Sequence, residues 1–268
     1  MAEAVINGAK IWYETSGKGE PILLHHGYTA SRVNWAPVAK ILEQHYQVIM
    51  MECRGTGASE HTVDGYSLQQ YALDVIGLMD HLSIDRLTYA GHSMGGGIGF
   101  VLATEQSERL NRLVLMAPIP SGGTGPVDEQ RLAERVEAIN RQDEAYFMNS
   151  YRAGIQMPEL DTETWFEDRT RHLLSLSEGH LTGGAKTMSG LRVSDQLAYI
   201  TLPTLMIAGS ADGLMPYNIA DYQALPNADL CVISRAGHET AVHAPAEVAS
   251  AIHRFMRFGP APKPRFPK

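Results

Sequence analysis

The chain is poor in cysteine, the residue that staples small folds. Only two cysteines, Cys53 and Cys231, occur in 268 residues. That is too few for a disulfide framework, and neither belongs to a Cys-x-x-Cys or Cys/His ligand spacing. Cys231, inside the apolar run Leu230-Cys231-Val232-Ile233, is expected to be a buried free thiol, and Cys53, beside Arg54, the more exposed of the two. Positive charge is also short. Twenty-two Lys and Arg against 30 Asp and Glu leave a net charge of −8, which argues against nucleic acid or another polyanion as partner. No apolar run reaches the roughly 20 residues that span a bilayer. The opening Met1-Ala2-Glu3-Ala4-Val5 has neither the basic nor the apolar segment of a secretory leader. These absences predict a reduced, cytoplasmic protein acting on a small molecule, with no nucleic-acid or membrane partner. No cofactor is expected. A metal site at His25-His26 is disfavoured, because neighbours in a strand point to opposite faces and no third ligand is in view.

What is present is a regular alternation. Short apolar runs at Pro21–Leu24, Val48–Met51, Leu87–Ala90, Leu113–Met116, Thr204–Ala208 and Leu230–Ile233 read as buried strands, after an opening hairpin at 4–7 and 10–14. Between them lie segments of helical period. Asn34–Gln44 places Val38, Ile41 and Leu42 on one face. Ser67-Leu68-Gln69-Gln70 has the form of a capping box ahead of Tyr71, Val75, Leu78, Met79 and Leu82. The last helix, with Pro245 in its first turn, aligns Val248, Ile252, Phe255 and Met256. Strands alternating with helices predict an α/β fold with a mostly parallel central sheet flanked by helices.

The sharpest local signal is Gly91-His92-Ser93-Met94-Gly95, which sits where the strand ending at Ala90 gives way to a small-residue helix. A Gly-x-Ser-x-Gly turn in that context holds a serine hydroxyl exposed at the sheet's edge, ready to act as a nucleophile. A serine needs a base to take its proton, and the base needs a third group to fix its tautomer. Ligand sites in such sheets lie beyond the carboxyl ends of the strands. The loop after Ala208 offers Asp212 and the loop after Ile233 offers His238. Each residue taken alone is unremarkable; three of them, each just past a parallel strand and in the order Ser93, Asp212, His238, form a candidate catalytic set. The negative oxygen of an acyl-transfer intermediate also needs donors. The backbone N–H groups of Met94, at a helix start, and of Tyr28, after His26-Gly27, are the candidates, with the Tyr28 side chain expected only to line the pocket.

Those motifs, with Arg54-Gly55-Thr56-Gly57-Ala58-Ser59, Asp212-Gly213-Leu214-Met215-Pro216 and Gly237-His238, carry a resemblance to the α/β-hydrolase superfamily, in its branch of small cap-bearing serine hydrolases. That branch includes carboxylesterases, lactonases, cofactor-free haloperoxidases and C–C hydrolases of meta-cleavage products. The resemblance spans roughly residues 1–120 and 190–258. It implies Ser93 as nucleophile, His238 as base and acid, Asp212 as its orienter, and Tyr28 and Met94 as oxyanion donors. The chain departs from the family pattern at Glu52, where an aspartate is frequent, and at His243, where a glutamate is frequent. It also lacks the Gly-rich oxyanion loop of the C–C hydrolases. A serine at the elbow disfavours dehalogenase or epoxide hydrolase chemistry, for which those relatives use aspartate.

The expected organisation is a core of residues 1–121 and 191–258, a helical cap over 122–190 and a disordered Pro-rich tail at 259–268. The stretch 122–190 is too long for a plain connection. Its Tyr146, Phe147, Met148, Tyr151, Trp165 and Phe166 are the candidate walls of an apolar substrate pocket. The leading expectation is hydrolysis of a small ester or lactone. The alternatives are C–C bond hydrolysis of meta-cleavage type and a ligand receptor built on a hydrolase scaffold.

Overall fold

The computed structural model describes residues 2–153, 157 and 159–261. Eight strands form one sheet: β1 (Ala2–Ile6), β2 (Ala9–Ser16), β3 (Pro21–His25), β4 (Gln47–Met51), β5 (Leu87–His92), β6 (Leu110–Met116), β7 (Thr204–Gly209) and β8 (Ala228–Ile233). Their spatial order is β1-β2-β4-β3-β5-β6-β7-β8. The β1–β2 and β2–β4 pairs are antiparallel and every later pair is parallel. The helices are α1 (Ala36–Leu42), α2 (Leu68–His81), α3 (Met94–Glu105), α4 (Glu129–Asn140), α5 (Glu144–Ala153), α6 (Glu163–Leu174), α7 (Glu178–Gly190), α8 (Met215–Ala224), α9 (Thr240–His243) and α10 (Pro245–Phe258).

The strands are apolar on both faces, because helices cover both. Leu23, Ile49, Tyr89 and Leu113 point to the side where α2 and α3 contribute Val75, Leu78, Ile98 and Val101. Their neighbours Ile22, Leu24, Val48, Ala90 and Val114 point the other way, to Val38 and Leu42 of α1 and Val248, Ile252 and Phe255 of α10. Among the described residues, the α-helices α4 to α7 fall between β6 and β7. Among the described residues no helix is long and apolar enough to cross a membrane.

Several local expectations are corrected. The thiols are reversed: Cys53 is buried at the end of a central strand, whereas Cys231 is half-exposed because β8 is an edge of the sheet. Ile41 lies at the surface, since α1 is only seven residues long and turns Val38 and Leu42 inward. Ser67 does accept from the Gln70 N–H at 3.1 Å, but the Gln70 side chain donates to Asp74 at 3.0 Å instead of closing a capping box. At the C-terminus, the Ala261 N–H donates to both Asp229 carboxylate oxygens at 3.1 Å. The remainder of the expected tail, 262–268, lies outside the described residues.

Gln70 belongs to a wider network. Asp74 receives Arg54 through Nε at 2.8 Å and Nη2 at 2.7 Å, and also Asn7 Nδ2 at 3.1 Å. Arg54 and Asp74 are both buried, so deleting one leaves the other charged and unpaired in the interior. Asp74→Ala is therefore expected to lower unfolding free energy by about 3–5 kcal/mol, read from urea denaturation. A loss below about 1 kcal/mol would mean the pair is solvated in solution.

Candidate active site

β5 runs directly into α3, and the junction residue Ser93 has φ 54° and ψ −112°, a left-handed conformation unusual for serine. Close packing around the turn depends on glycine. A Cβ on Gly91 would collide with the Gly95 carbonyl oxygen, and one on Gly95 would lie 2.7 Å from the carbonyl oxygens of His25 and His26. The serine backbone is fixed on both sides: its N–H donates to Met116 at 3.0 Å, and its carbonyl accepts from Gly97 and Ile119, each at 3.1 Å. The loop after β3 passes hard against it, since a Cβ on Gly27 would sit 3.0 Å from the Ser93 Cβ. The Met94 N–H, at the first position of α3, has no intrahelical acceptor and points out of the helix start.

Asp212 and His238 come from the loops after β7 and β8 and meet: His238 Nδ1 is 3.0 Å from Asp212 Oδ2. The other carboxylate oxygen accepts the Leu214 N–H at 2.9 Å. Burial works against charge on Asp212, but the His238 hydrogen bond and charge and the Leu214 N–H outweigh it and hold the carboxyl below its ordinary range. Burial likewise disfavours imidazolium at His238, yet the hydrogen bond and charge of Asp212, with Glu239 beyond, raise its pKa above 6.5. His92 joins this loop to the serine turn. Its Nε2 donates to the His238 carbonyl at 2.9 Å, and the two rings lie 4.9 Å apart. Desolvation lowers the His92 pKa to about 4, so it is neutral at physiological pH.

His25 and His26 are not turned to opposite faces as expected. β3 ends at His25, alternation stops there, and the rings meet edge to face at 5.7 Å. Each ring is used by its surroundings. His25 contacts Tyr89 Oη at 2.8 Å and Cys53 Sγ at 3.1 Å, while His26 donates to the Gly27 carbonyl at 2.7 Å and accepts the Cys53 N–H at 3.1 Å.

A model of the alpha/beta hydrolase fold matches residues 20–245 of the chain. The chain is an α/β-hydrolase. A Synechocystis protein named as a non-heme chloroperoxidase is 30% identical over 219 residues, which are 77% of this chain and 79% of that protein. A Rhodococcus erythropolis non-heme haloperoxidase is 26% identical over 226 residues, covering 78% of this chain and 81% of its own. Among solved structures, the enol-lactonase of Burkholderia xenovorans superposes with a TM-score of 0.85 at 21% identity, over 96% of this chain and 100% of the lactonase.

In this hydrolase the helices α6 and α7 reach the loop after β3. Three consecutive carbonyls of the loop after β3 are each engaged by a side chain from them. His180 Nε2 donates to Tyr28 at 2.5 Å, Arg169 Nη1 to Thr29 at 2.7 Å, and His172 Nε2 to Ala30 at 2.9 Å. The Tyr28 hydroxyl returns the contact by donating to the Leu181 carbonyl. Arg169 also reaches Glu239, 3.4 Å away, whose other oxygen accepts Asn34 Nδ2 at 2.6 Å. Glu239 is held at about 2 despite burial, by Arg169, His92 and His238 and by the Asn34 hydrogen bond. His243, at the family's glutamate position, takes the Gly237 N–H on Nδ1 and donates through Nε2 to Asp161, each at 3.0 Å.

None of Arg169, His172, His180 and Glu239 was singled out by sequence reasoning. One signal was available for Arg169, which shares the buried stripe of α6 with Phe166, Thr170 and Leu173. Of the expected pocket residues, Phe147, Tyr146 and Tyr151 join the apolar cluster that also packs Tyr28. Phe166 stacks on Tyr151 at 5.5 Å with planes 4° apart. Two others lie elsewhere. Met148 lines a cleft with Glu144, Arg152, Glu163 and Glu167. Trp165 lines a cavity of about 520 Å³ together with Arg32, Asn34, Glu52 and His172.

The histidines should separate in an NMR titration. His238 should change charge above pH 6.5, whereas desolvation keeps His92, His172 and His180 neutral until about pH 4. The Nε2–H tautomer of His180 should be visible in ring ¹⁵N shifts, because Nδ1 lies 2.8 Å from the Tyr71 hydroxyl. Titration of His180 near 6.5 would contradict its burial against the Tyr28 carbonyl.

Proposed function

We propose that this α/β-hydrolase is a serine hydrolase that cleaves a small, largely apolar ester or lactone through an acyl-enzyme on Ser93. The observation that carries the reading is the 3.0 Å contact between His238 Nδ1 and Asp212, in a loop that His92 ties to the strained serine turn. Asp212 occupies Nδ1–H, which leaves the Nε2 lone pair to take the proton of the Ser93 hydroxyl. The hydroxyl oxygen attacks the substrate carbonyl, and the tetrahedral oxyanion is received by the N–H groups of Tyr28 and Met94. The imidazolium then returns its proton to the departing alcohol. Water, deprotonated by His238, releases the acid and restores the serine. Asp212 acts by fixing the tautomer and stabilising the imidazolium, not by accepting the proton.

The walls of the pocket are assigned to Tyr146, Phe147 and Tyr151 around Tyr28, with Phe166 stacked on Tyr151; Met148 and Trp165, which line other clefts, are left out of it. The Tyr28 side chain is a wall and an anchor, since its hydroxyl is committed to Leu181.

Hydrolysis of short p-nitrophenyl esters tests the reading. Ser93→Ala and His238→Ala should each lower kcat by about 10⁴–10⁶-fold with the fold intact, because such residues act as a unit. Turnover should rise with pH along a limb centred above 6.5, as the elevated His238 pKa requires its proton to leave first. Near-normal turnover by the Ser93 variant, or a flat profile from pH 5 to 8, would sink the mechanism.

Tyr28→Phe separates backbone from side chain. It keeps the N–H and removes only the hydroxyl that anchors to Leu181. The expected outcome is a loss of about 1 kcal/mol in stability with most of kcat retained. A fall of about 10²-fold or more, the scale of a deleted oxyanion donor, would make the phenol itself catalytic.

A further inference from the structure

Among the described residues, the arginines that are wholly or partly buried are paired, with one exception. Arg32, Arg54, Arg109, Arg112 and Arg169 each have a carboxylate oxygen within 4.0 Å: Glu52, Asp74, Asp80, Glu20 and Glu239 respectively. Arg135, half-buried on α4, has no carboxylate partner among the described residues. Its place on the helix is unusual. Leu132, Val136 and Ile139 form the inward stripe of α4, and position 135 falls on that stripe by helical spacing. The guanidinium lies 5.9 Å from the ring centroid of Tyr28, the residue assigned as oxyanion donor. A cation taken partly out of water is stable only if something compensates it, and one tyrosine face does so weakly.

Accepting the serine-hydrolase reading, we infer that Arg135 is a specificity residue that binds a carboxylate carried by the substrate, so that the preferred esters or lactones are anionic. The geometry places a planar donor set, able to hold a carboxylate by two parallel hydrogen bonds, beside the reacting carbonyl's oxyanion loop. The rest of the wall, Tyr146, Phe147 and Tyr151, is aromatic and accepts the carbon chain between the two ends. Arg169 does not compete for the carboxylate, because Thr29 and Glu239 already engage it. Arg135 thereby supplies discrimination while Ser93, His238 and Asp212 supply chemistry common to any acyl compound that fits.

The test compares near-isosteric esters that differ by one charge, monomethyl adipate and methyl hexanoate, and a second pair carrying the charge on the alcohol side. The wild-type enzyme should prefer the anionic member of at least one pair in kcat/KM. Arg135→Met, which keeps the volume and removes the charge, should lower kcat/KM for that anionic ester by at least about tenfold. The neutral ester should stay within about twofold, and Arg135→Lys should recover part of the loss. Equal effects of Arg135→Met on both members, or no anionic preference in wild type, would overturn the inference. Adipate itself is the second readout: it should raise the melting temperature of wild type and not of Arg135→Met. This binding arm needs no turnover. An enzyme inactive on every ester but stabilised by adipate through Arg135 would remove the hydrolase reading and keep the anion site. Full ester activity without any Arg135-dependent discrimination or adipate shift would do the reverse.

Discussion

The left-handed backbone of Ser93 is tolerated only because its surroundings leave no alternative, and much of the molecule follows from that requirement. Strand β5 must enter the turn from between β3 and β6, so that Met116 and Ile119 can hold the Ser93 backbone from one side. Gly91 and Gly95 must lack side chains, since the turn presses α3 onto the His25-His26 backbone. Conformations of this kind cost on the order of 1–3 kcal/mol and persist where the fold over-determines them. Here the over-determination comes from a buried sheet with helices on both faces, and its result is a hydroxyl carried at a sheet edge next to the loops after β3, β7 and β8.

Electrostatics at that edge are arranged around one proton. Among the rings near the site, His92, His172 and His180 are pressed neutral by desolvation, while His238 is pushed upward. The difference is made by carboxylates. Asp212 bonds His238 directly, and Glu239 adds charge without touching its ring nitrogens. Glu239 is itself kept ionised by Asn34 and Arg169. An arginine on α6 is therefore part of the electrostatic setting of His238 on the loop after β8. The neutral histidines are the useful complement: as Nε2–H donors they can hold carbonyls at any ordinary pH.

How much of this could be read from the chain depends on how far each cause extends along it. The parallel sheet was legible because each strand announces itself by an apolar run, and Gly91–Gly95, Asp212 and His238 because loops at strand ends inherit their neighbourhood from topology. Short-range capping was less secure: Gln70 fitted a capping box, yet Asp74 four residues on competes for its amide. Exposure of the cysteines was misjudged because it depends on which strand is an edge, a property of the whole sheet. His243, met as a departure from a family pattern, turns out to bond the residue before His238 and an aspartate 82 positions away. Pairings of that kind leave no local trace. Arg169 and Arg135 left only a faint one, a cation on a stripe otherwise filled mostly by apolar residues.

The loop carrying Tyr28 shows why the helices between β6 and β7 cannot be treated as a detachable cover. The proposed role of the Tyr28 N–H requires it to be placed to within about half an ångström, yet residues 26–30 after β3 form no helix or strand. Its rigidity comes from outside, through His180, Arg169 and His172 on the carbonyls of residues 28, 29 and 30. Lifting those helices as a body would strand three carbonyls and release the loop at the moment a substrate arrived. Entry by local side-chain movement keeps all three bonds. On the proposed reading, the same contacts would join the pocket wall to the oxyanion loop, so that a change in α6 or α7 that alters what the enzyme accepts should also alter how well it stabilises charge. The joint between those helices and the loop after β3 is made of two neutral imidazoles and one buried guanidinium.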